Sequence, residues 1–409
     1  MNILILCDMF PPAFGPRMGY LCKYLKQSGV ETSVITEYIP DETFAFLKGD
    51  ADVVYIPFYD ANRFSAWLRI FLLDMFFGYK NRRMYREARR QTRAKRYDLI
   101  LCSSYRLFPL PAACRIAKEA HLPLAVDLRD VIEQFSGNEY IAHSLPRLGG
   151  LERVVAWLFK TISLRRRNRV LRRAAHVTTI SLWHVELLKR YNPHVSLIYN
   201  GFDPDIFSPS AVKSEQFFVT YTGRLTSTLL RNPGLLFEAV KLLAGESLIH
   251  PDTFRIRWFT DEKSRRIIQC EAAKYAVADF MDYHDYVPAT EIPAILNESS
   301  IVLLLANKSD DRGPKGIMTT KFFEALAVER PILCVRGDEG CLEEVICRTR
   351  SGLSAHDVQE TRQFIERHYR QWLTDGRTTV DVDRAEVEKF SRKAQAEQFI
   401  HVFEQILNT

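Results

Sequence analysis

Arg224 and Arg231 flank a short loop that joins a strand-like run, Phe217–Thr222, to a helix opening at Arg231-Asn232-Pro233-Gly234. Two cations between the carboxyl edge of a strand and the N-terminus of a helix suit a diphosphate. Two solvated loop arginines would read the same way. A second stretch converges on the same chemistry. The apolar run Ile301–Leu305 leads through polar residues 307–316 to Thr319-Thr320-Lys321 and the helix Phe322–Ala327. The amides of Thr319 and Thr320 fall at that helix's N-terminus, where an anion is favoured. Glu324 lies one turn in, placed either to accept hydrogen bonds from vicinal hydroxyls such as those of ribose or simply to complement the helix dipole.

In the N-terminal half, the run Pro123–Asp127 ends in Leu128-Arg129-Asp130. Charged side chains at the carboxyl edge of a parallel strand point toward a ligand crevice. Arg129 and Asp130 are expected near the reacting centre or acceptor, with Asp127, on the acceptor side, buttressing the loop; a structural Asp127–Arg129 ion pair is the alternative. Other chemistries lack their residues. The ten histidines show no H-E-x-x-H spacing, and no metal is expected. Asp381-Val382-Asp383 mimics a metal-binding aspartate motif but lies in a polar stretch before the last helix. There is no G-x-S-x-G, P-loop or G-x-G-x-x-G.

Two segments pair apolar residues with dense arginine. Trp67, Phe71 and Phe76 precede a basic run that includes Arg82 and Arg83, and Trp157 precedes Arg165 and Arg166. This pattern suits helices lying on an anionic membrane; amphipathic core helices with solvated basic faces are the alternative. Nucleic acid is not an expected partner, because no recognition motif accompanies the charge and the whole chain carries only +6.

These residues need rigid elements to place them. Ile3–Cys7, a loop, a helix with Met18, Leu21, Cys22 and Leu25 on one face, and Val34–Thr36 form a βαβ unit. Short apolar runs recur at 98–102, 123–127, 176–180 and 195–199, then at 217–222, 254–259, 301–305 and 331–335. Alternation with helix-length segments predicts an α/β protein of doubly wound parallel sheets. The turn-rich stretch 200–215 predicts a boundary, giving domains at 1–205 and 206–389 with a final helix at 390–409. A chain of 409 residues, 47% hydrophobic and 12% aromatic, can bury two cores. Eight scattered cysteines without a C-x-x-C pair predict a reducing compartment. No basic leader precedes the first apolar run, and no stretch of roughly 18 apolar residues occurs. The expected location is cytoplasmic, peripheral on the inner face of the plasma membrane.

In combination, Gly223-Arg224-Leu225, Arg231-Asn232-Pro233, Val287-Pro288, Lys321-Phe322-Phe323-Glu324-Ala325-Leu326-Ala327 and Arg330-Pro331 resemble glycosyltransferase family 4. Asn200-Gly201-Phe202-Asp203, the Pro11-Pro12…Gly15 loop and the closing helix extend the resemblance over most of the chain. It implies a GT-B architecture, two Rossmann-like domains facing a cleft, and a retaining hexosyl- or N-acetylhexosaminyltransferase. A UDP- or GDP-sugar would be the donor, a glycan or lipid-linked acceptor in bacterial surface-polysaccharide assembly would receive the sugar, and no cofactor would be needed. Matching positions assign Arg224 and Arg231 to the diphosphate, Glu324 to ribose, and Gly15, Tyr286, Val287, Thr319, Thr320 and Lys321 to the donor. Asp127-Leu128-Arg129-Asp130 is similar to the start of a surface-polysaccharide subgroup motif. The family's first paired glutamate falls on Gly316, so that carboxylate is missing, with Lys315 and Lys321 as candidate substitutes. The rival readings are a sugar-nucleotide 2-epimerase of similar fold and a non-catalytic membrane-associated scaffold.

Overall fold

The computed structural model describes residues 1–49, 51–58, 64–105, 107–134, 151–225, 227–228, 231–306, 316–335 and 340–408; within the helix Phe64–Phe77 it leaves several side chains undescribed. The chain divides into two compact units, Met1–Tyr199 with Gln395–Thr409, and Asn200–Ala394.

The first unit is built on seven parallel strands: β1 (Asn2–Cys7), β2 (Glu31–Glu37), β3 (Asp52–Ile56), β4 (Leu99–Ser104), β5 (Leu124–Leu128), β6 (His176–Thr179) and β7 (Val195–Leu197). Their order is β3-β2-β1-β4-β5-β6-β7, so the winding reverses between β1 and β4. Ile3 lies opposite Leu99 and Cys7 opposite Ser103 across that reversal. Such strands are covered on both faces, which is why they read as continuous apolar runs rather than as alternation. Ile3, Ile5, Met18 and Leu21 pack on one face with Phe399 and Phe403 of the returning C-terminal helix Arg392–Leu407. Leu4, Leu6, Ile100 and Met84 build the core on the other face.

The second unit carries six parallel strands: β8 (Phe217–Thr222), β9 (Phe254–Phe259), β10 (Met281–His284), β11 (Ile301–Leu305), β12 (Ile332–Val335) and β13 (Gly352–Ala355). The order β10-β9-β8-β11-β12-β13 repeats the first sheet's logic, with reversal between β8 and β11. Trp258, Phe237, Phe217 and Phe254 form the aromatic centre of its core. The boundary falls after Tyr199 rather than at 205. The Phe202 amide donates to Phe390 O at 3.1 Å, and the Arg392 amide to Phe202 O at 2.7 Å, tying the first residues after the boundary to the second unit. These ties also shift the last helix's start to Arg392 and leave the three residues before Gln395 with the second unit.

The sequence passed over β3, β10 and β13. All three are edge strands, although β7, the other edge of the first sheet, was read from its run at 195–199.

Candidate functional site

In open α/β sheets, ligands bind beyond the carboxyl ends of the strands where the winding reverses. In the second unit that point lies between β8 and β11. Gly223, the first residue after β8, has φ +115°, a backbone that a side chain rarely adopts, and Lys321 Nζ occupies the place its Cβ would take. The positive φ therefore calls for glycine there, while a Cβ would also push the flexible Lys321 end aside. Gly223 brings the loop after β8 against the helix Thr320–Ala327, which follows β11. Lys321 also lies 5.0 Å over the Tyr221 ring.

Around this lysine the loop arginines gather. The Arg231 Nη1 group and the Tyr221 hydroxyl, the latter at 3.0 Å, both donate to Arg224 O, so this carbonyl fixes the turn. The Arg224 side chain is 67% exposed, 3.3 Å from Asp261 and 5.7 Å from the Tyr286 ring centre. Asp261 is anchored because it caps the helix Glu262–Tyr275, accepting from the Ser264 amide at 2.8 Å. Arg224 is thus aimed but accessible. Burial, then the nearby Arg231, pushes the Lys321 amine down to about 7, while Glu324 opposes that fall. Burial raises the Glu324 carboxyl, against the pull of Lys321 and Arg392. Among the described residues, three basic side chains converge on one turn with a single buried carboxylate, an arrangement that a multivalent anion would stabilise.

Thr319 is the N-cap of the Thr320–Ala327 helix, with extended backbone and no side-chain cap bond. The helix therefore presents its first amides without a side-chain acceptor from its own cap. Gly316 has φ +64°, the left-handed region, so a glutamate here would be strained as well as absent from the sequence. Tyr286 is 51% exposed beside Arg224, and Val287 follows it half-buried. Lys315 lies outside the described residues.

In the first unit the reversal between β1 and β4 is marked by Asp8. Its carboxylate accepts from the Tyr105 amide at 3.1 Å and pairs with Arg129 Nη2. Arg129 Nε is buried with no hydrogen-bond partner among the described residues. Asp130 accepts from Gln134 Nε2 at 2.7 Å. Gln134 in turn meets His184 Nε2 at 2.9 Å, and burial lowers that imidazole to about 4, so it stays neutral. Asp130 is thereby oriented from a buried, uncharged network.

Asp127 braces the end of β5 from within the fold. It is fully buried; its oxygens accept from Arg17 Nη2 at 2.8 Å, Arg17 Nε at 3.0 Å, Ser103 at 2.9 Å and Thr178 at 2.9 Å. Burial alone would raise its pKa, but Arg17 and these bonds hold it below the usual value. Arg17 also donates to Ile198 O and Tyr199 O, pinning the helix Pro16–Gln27 to the sheet. Asp127 and Arg129 do not pair, since Arg129 has passed the end of β5 and turned to Asp8. Gly15 begins that helix, and a Cβ there would lie 2.7 Å from Phe10 Cα. Arg17 and Asp8 were invisible in sequence, because nothing local marks a side chain whose partner lies about a hundred residues away, and Gln134 because its partner His184 lies 50 residues on.

Of the basic-segment residues, Arg82, Arg165 and Arg166 are exposed, and Trp157 is 63% exposed. Arg83 is held instead by Pro57 O at 2.7 Å and lies over Phe58. The side chains of Trp67, Phe71 and Phe76 lie outside the described residues. No helix among the described residues is long and apolar enough to cross a membrane. Asp383 spends its carboxylate capping the helix Arg384–Glu388, and Asp381 lies 3.5 Å from Arg350.

Residues 14–201 match the family described as glycosyl transferase 4-like domain. No curated protein matches the chain in sequence. Solved structures match at full length. HepE from Anabaena, in complex with UDP, is 13% identical with a TM-score of 0.66, over 99% of this chain and 100% of that one. Sucrose-phosphate synthase from Thermosynechococcus elongatus is 14% identical with a TM-score of 0.62, over 100% and 99%. A glycosyltransferase from Rickettsia africae is 12% identical with a TM-score of 0.63, over 99% and 98%. With two parallel sheets wound as described, this chain has the GT-B fold, and its residues 14–201 are similar to the glycosyl transferase 4-like domain.

Proposed function

We propose that this chain is a retaining, metal-independent glycosyltransferase that moves a hexosyl or N-acetylhexosaminyl group from a UDP- or GDP-sugar to an acceptor hydroxyl. The observation that carries the reading is the cation cluster of Arg224, Arg231 and Lys321 around Gly223, beside the N-terminus of the Thr320–Ala327 helix. The bond from the sugar's anomeric carbon to the diphosphate oxygen breaks, and a bond from the same carbon to the acceptor oxygen forms on the same face. The acceptor's proton leaves with the diphosphate. Charge grows on the departing diphosphate, so fixed arginines and helix amides lower the barrier there. Those side chains supply the positive charge without a metal. Glu324 holds the ribose, while Tyr286, Val287, Thr319 and Thr320 of the same unit complete its donor contacts. Arg129, with its unmatched Nε, and the oriented Asp130 serve the reacting centre.

UDP is the first base to try, because HepE has been solved with both UDP and UDP-glucose. The exposed Trp157 beside Arg165 and Arg166 supports a peripheral position on the cytoplasmic leaflet and a lipid-linked glycan as acceptor. The test is a thermal-shift panel of UDP, GDP, ADP and CMP on the chain and on an Arg224→Ala/Glu324→Ala variant. A ligand that binds only the folded state raises Tm with its excess over Kd. A shift with UDP or GDP that vanishes in the variant supports the reading. No shift with any nucleotide rejects it in favour of a scaffold.

A further inference from the structure

The helix Tyr79–Ala94 carries arginines three and four residues apart, which places their head groups along one face. Arg82, Arg86, Arg89 and Arg93, with Tyr85 and with Arg115 from the helix Leu110–Ala120, line a cavity of about 480 Å³. The lining arginines are exposed, and contacts among their neighbours give the cavity its shape. The Arg115 guanidinium stacks 4.0 Å from the centre of the buried Tyr85 ring, and the Tyr85 hydroxyl donates to Glu119. Glu119 also accepts from Arg89 Nε at 2.6 Å, and the Arg93 charge acts on it from farther off. Arg82, Arg86 and Arg93 have no acid within ion-pair distance among the described residues. Like charges stacked at this spacing disfavour a helix. An anion with several acceptor oxygens would remove that repulsion.

The surroundings indicate which anion. On one side the helix Phe64–Phe77, which packs on Tyr79–Ala94, exposes Leu68, Leu72 and Phe77. On the other, the helix Leu151–Leu171, which packs on Leu110–Ala120, exposes Val154, Trp157 and Leu158. A nucleic acid could neutralise the arginines but would leave these apolar side chains in water. A lipid supplies phosphate for the arginines and acyl chains for the flanks. Guanidinium forks match phosphate oxygens in a bidentate way that an ammonium cannot.

We propose that this arginine-lined pocket is a headgroup site for a lipid phosphate, preferring a phosphomonoester to a carboxylate-bearing headgroup. It rests on the peripheral membrane position proposed above and involves no residue of the donor cluster.

The experiment is sedimentation of the full chain with vesicles of phosphatidylcholine alone, or with phosphatidic acid or phosphatidylserine added to equal surface charge. Phosphatidic acid vesicles should retain the protein best. An Arg86→Gln/Arg93→Gln variant should lose on the order of 25-fold in partitioning, at about fivefold per charge. Arg86→Lys/Arg93→Lys should keep binding but no longer tell the two lipids apart, and Trp157→Ala should weaken binding to every anionic vesicle. Melting temperatures establish that the variants fold, and an unchanged UDP shift in the Gln variant separates this site from the donor site. Equal retention by both lipids, or a Gln variant that partitions like the parent, overturns the proposal. Tight binding of inorganic pyrophosphate or of single-stranded RNA without vesicle retention also overturns it, in favour of a soluble anion or a nucleic acid.

Discussion

Binding of UDP to this protein should take up a proton, and the amount should depend steeply on pH. In the free protein, burial and the neighbouring Arg231 hold the Lys321 amine at about 7. At pH 8 such a group is only about 10% charged, and at pH 6 about 90%. A diphosphate resting on Arg224 and Arg231 reverses the field at Lys321 and lifts its pKa toward the ordinary lysine value. Uptake on binding should therefore be about 0.9 proton at pH 8 and about 0.1 at pH 6. Affinity should then fall by up to about tenfold per pH unit above pH 7, until the bound-state pKa is reached. Calorimetric titration with UDP in buffers of different ionisation enthalpy measures the uptake directly. Lys321→Gln should still bind, more weakly, and show none of it. Binding at pH 8 with no proton uptake in the parent would refute the argument, because the diphosphate would then lie away from Lys321.

The same amine should shape stability in the absence of ligand. Its folded pKa lies below its unfolded one, so the unfolded chain binds more protons between about pH 7 and pH 10.5, and the free protein should gain stability as pH rises through that window. Lys321→Met should accordingly raise Tm most at pH 6 and least near pH 10, as scanning calorimetry would record; an equal gain at both would show that the amine is not depressed. Gly223→Ala places a Cβ where Lys321 Nζ lies, on a backbone of φ +115°, and should abolish the UDP thermal shift while the chain still folds. An undiminished shift would mean that the turn after β8 does not form the site. Asp127→Ala leaves the Arg17 charge buried without its partner, a loss of about 3–5 kcal/mol in denaturant unfolding. A loss below about 1 kcal/mol would mean that the pair contributes little to the fold.

Much of the architecture was legible because buried parallel strands leave a local trace. Ile301–Leu305 and Phe217–Thr222 are apolar on both faces, and the helices between them carry their own periodicity. The cation cluster after β8 was partly legible for a related reason. Its arginines, its helix N-terminus and Glu324 each sit next to an element that sequence pattern identifies. The strands β10 and β13 left a weaker trace, being short and partly polar at the edges of their sheet, and β3 was passed over despite its apolar run.

What the amino-acid sequence determined by itself was the sequence-local part of this protein: which runs become strands, where the chain turns, and which charged residues stand at strand ends. Tertiary structure alone decided the partners. Asp127 went to Arg17 and Arg129 to Asp8, and Lys321 took the space that Gly223 leaves open, because each pairing joins residues nearly a hundred or more positions apart. An ion pair or a missing Cβ acts over a few ångströms of space, and linear sequence carries no record of that distance until the sheet has formed.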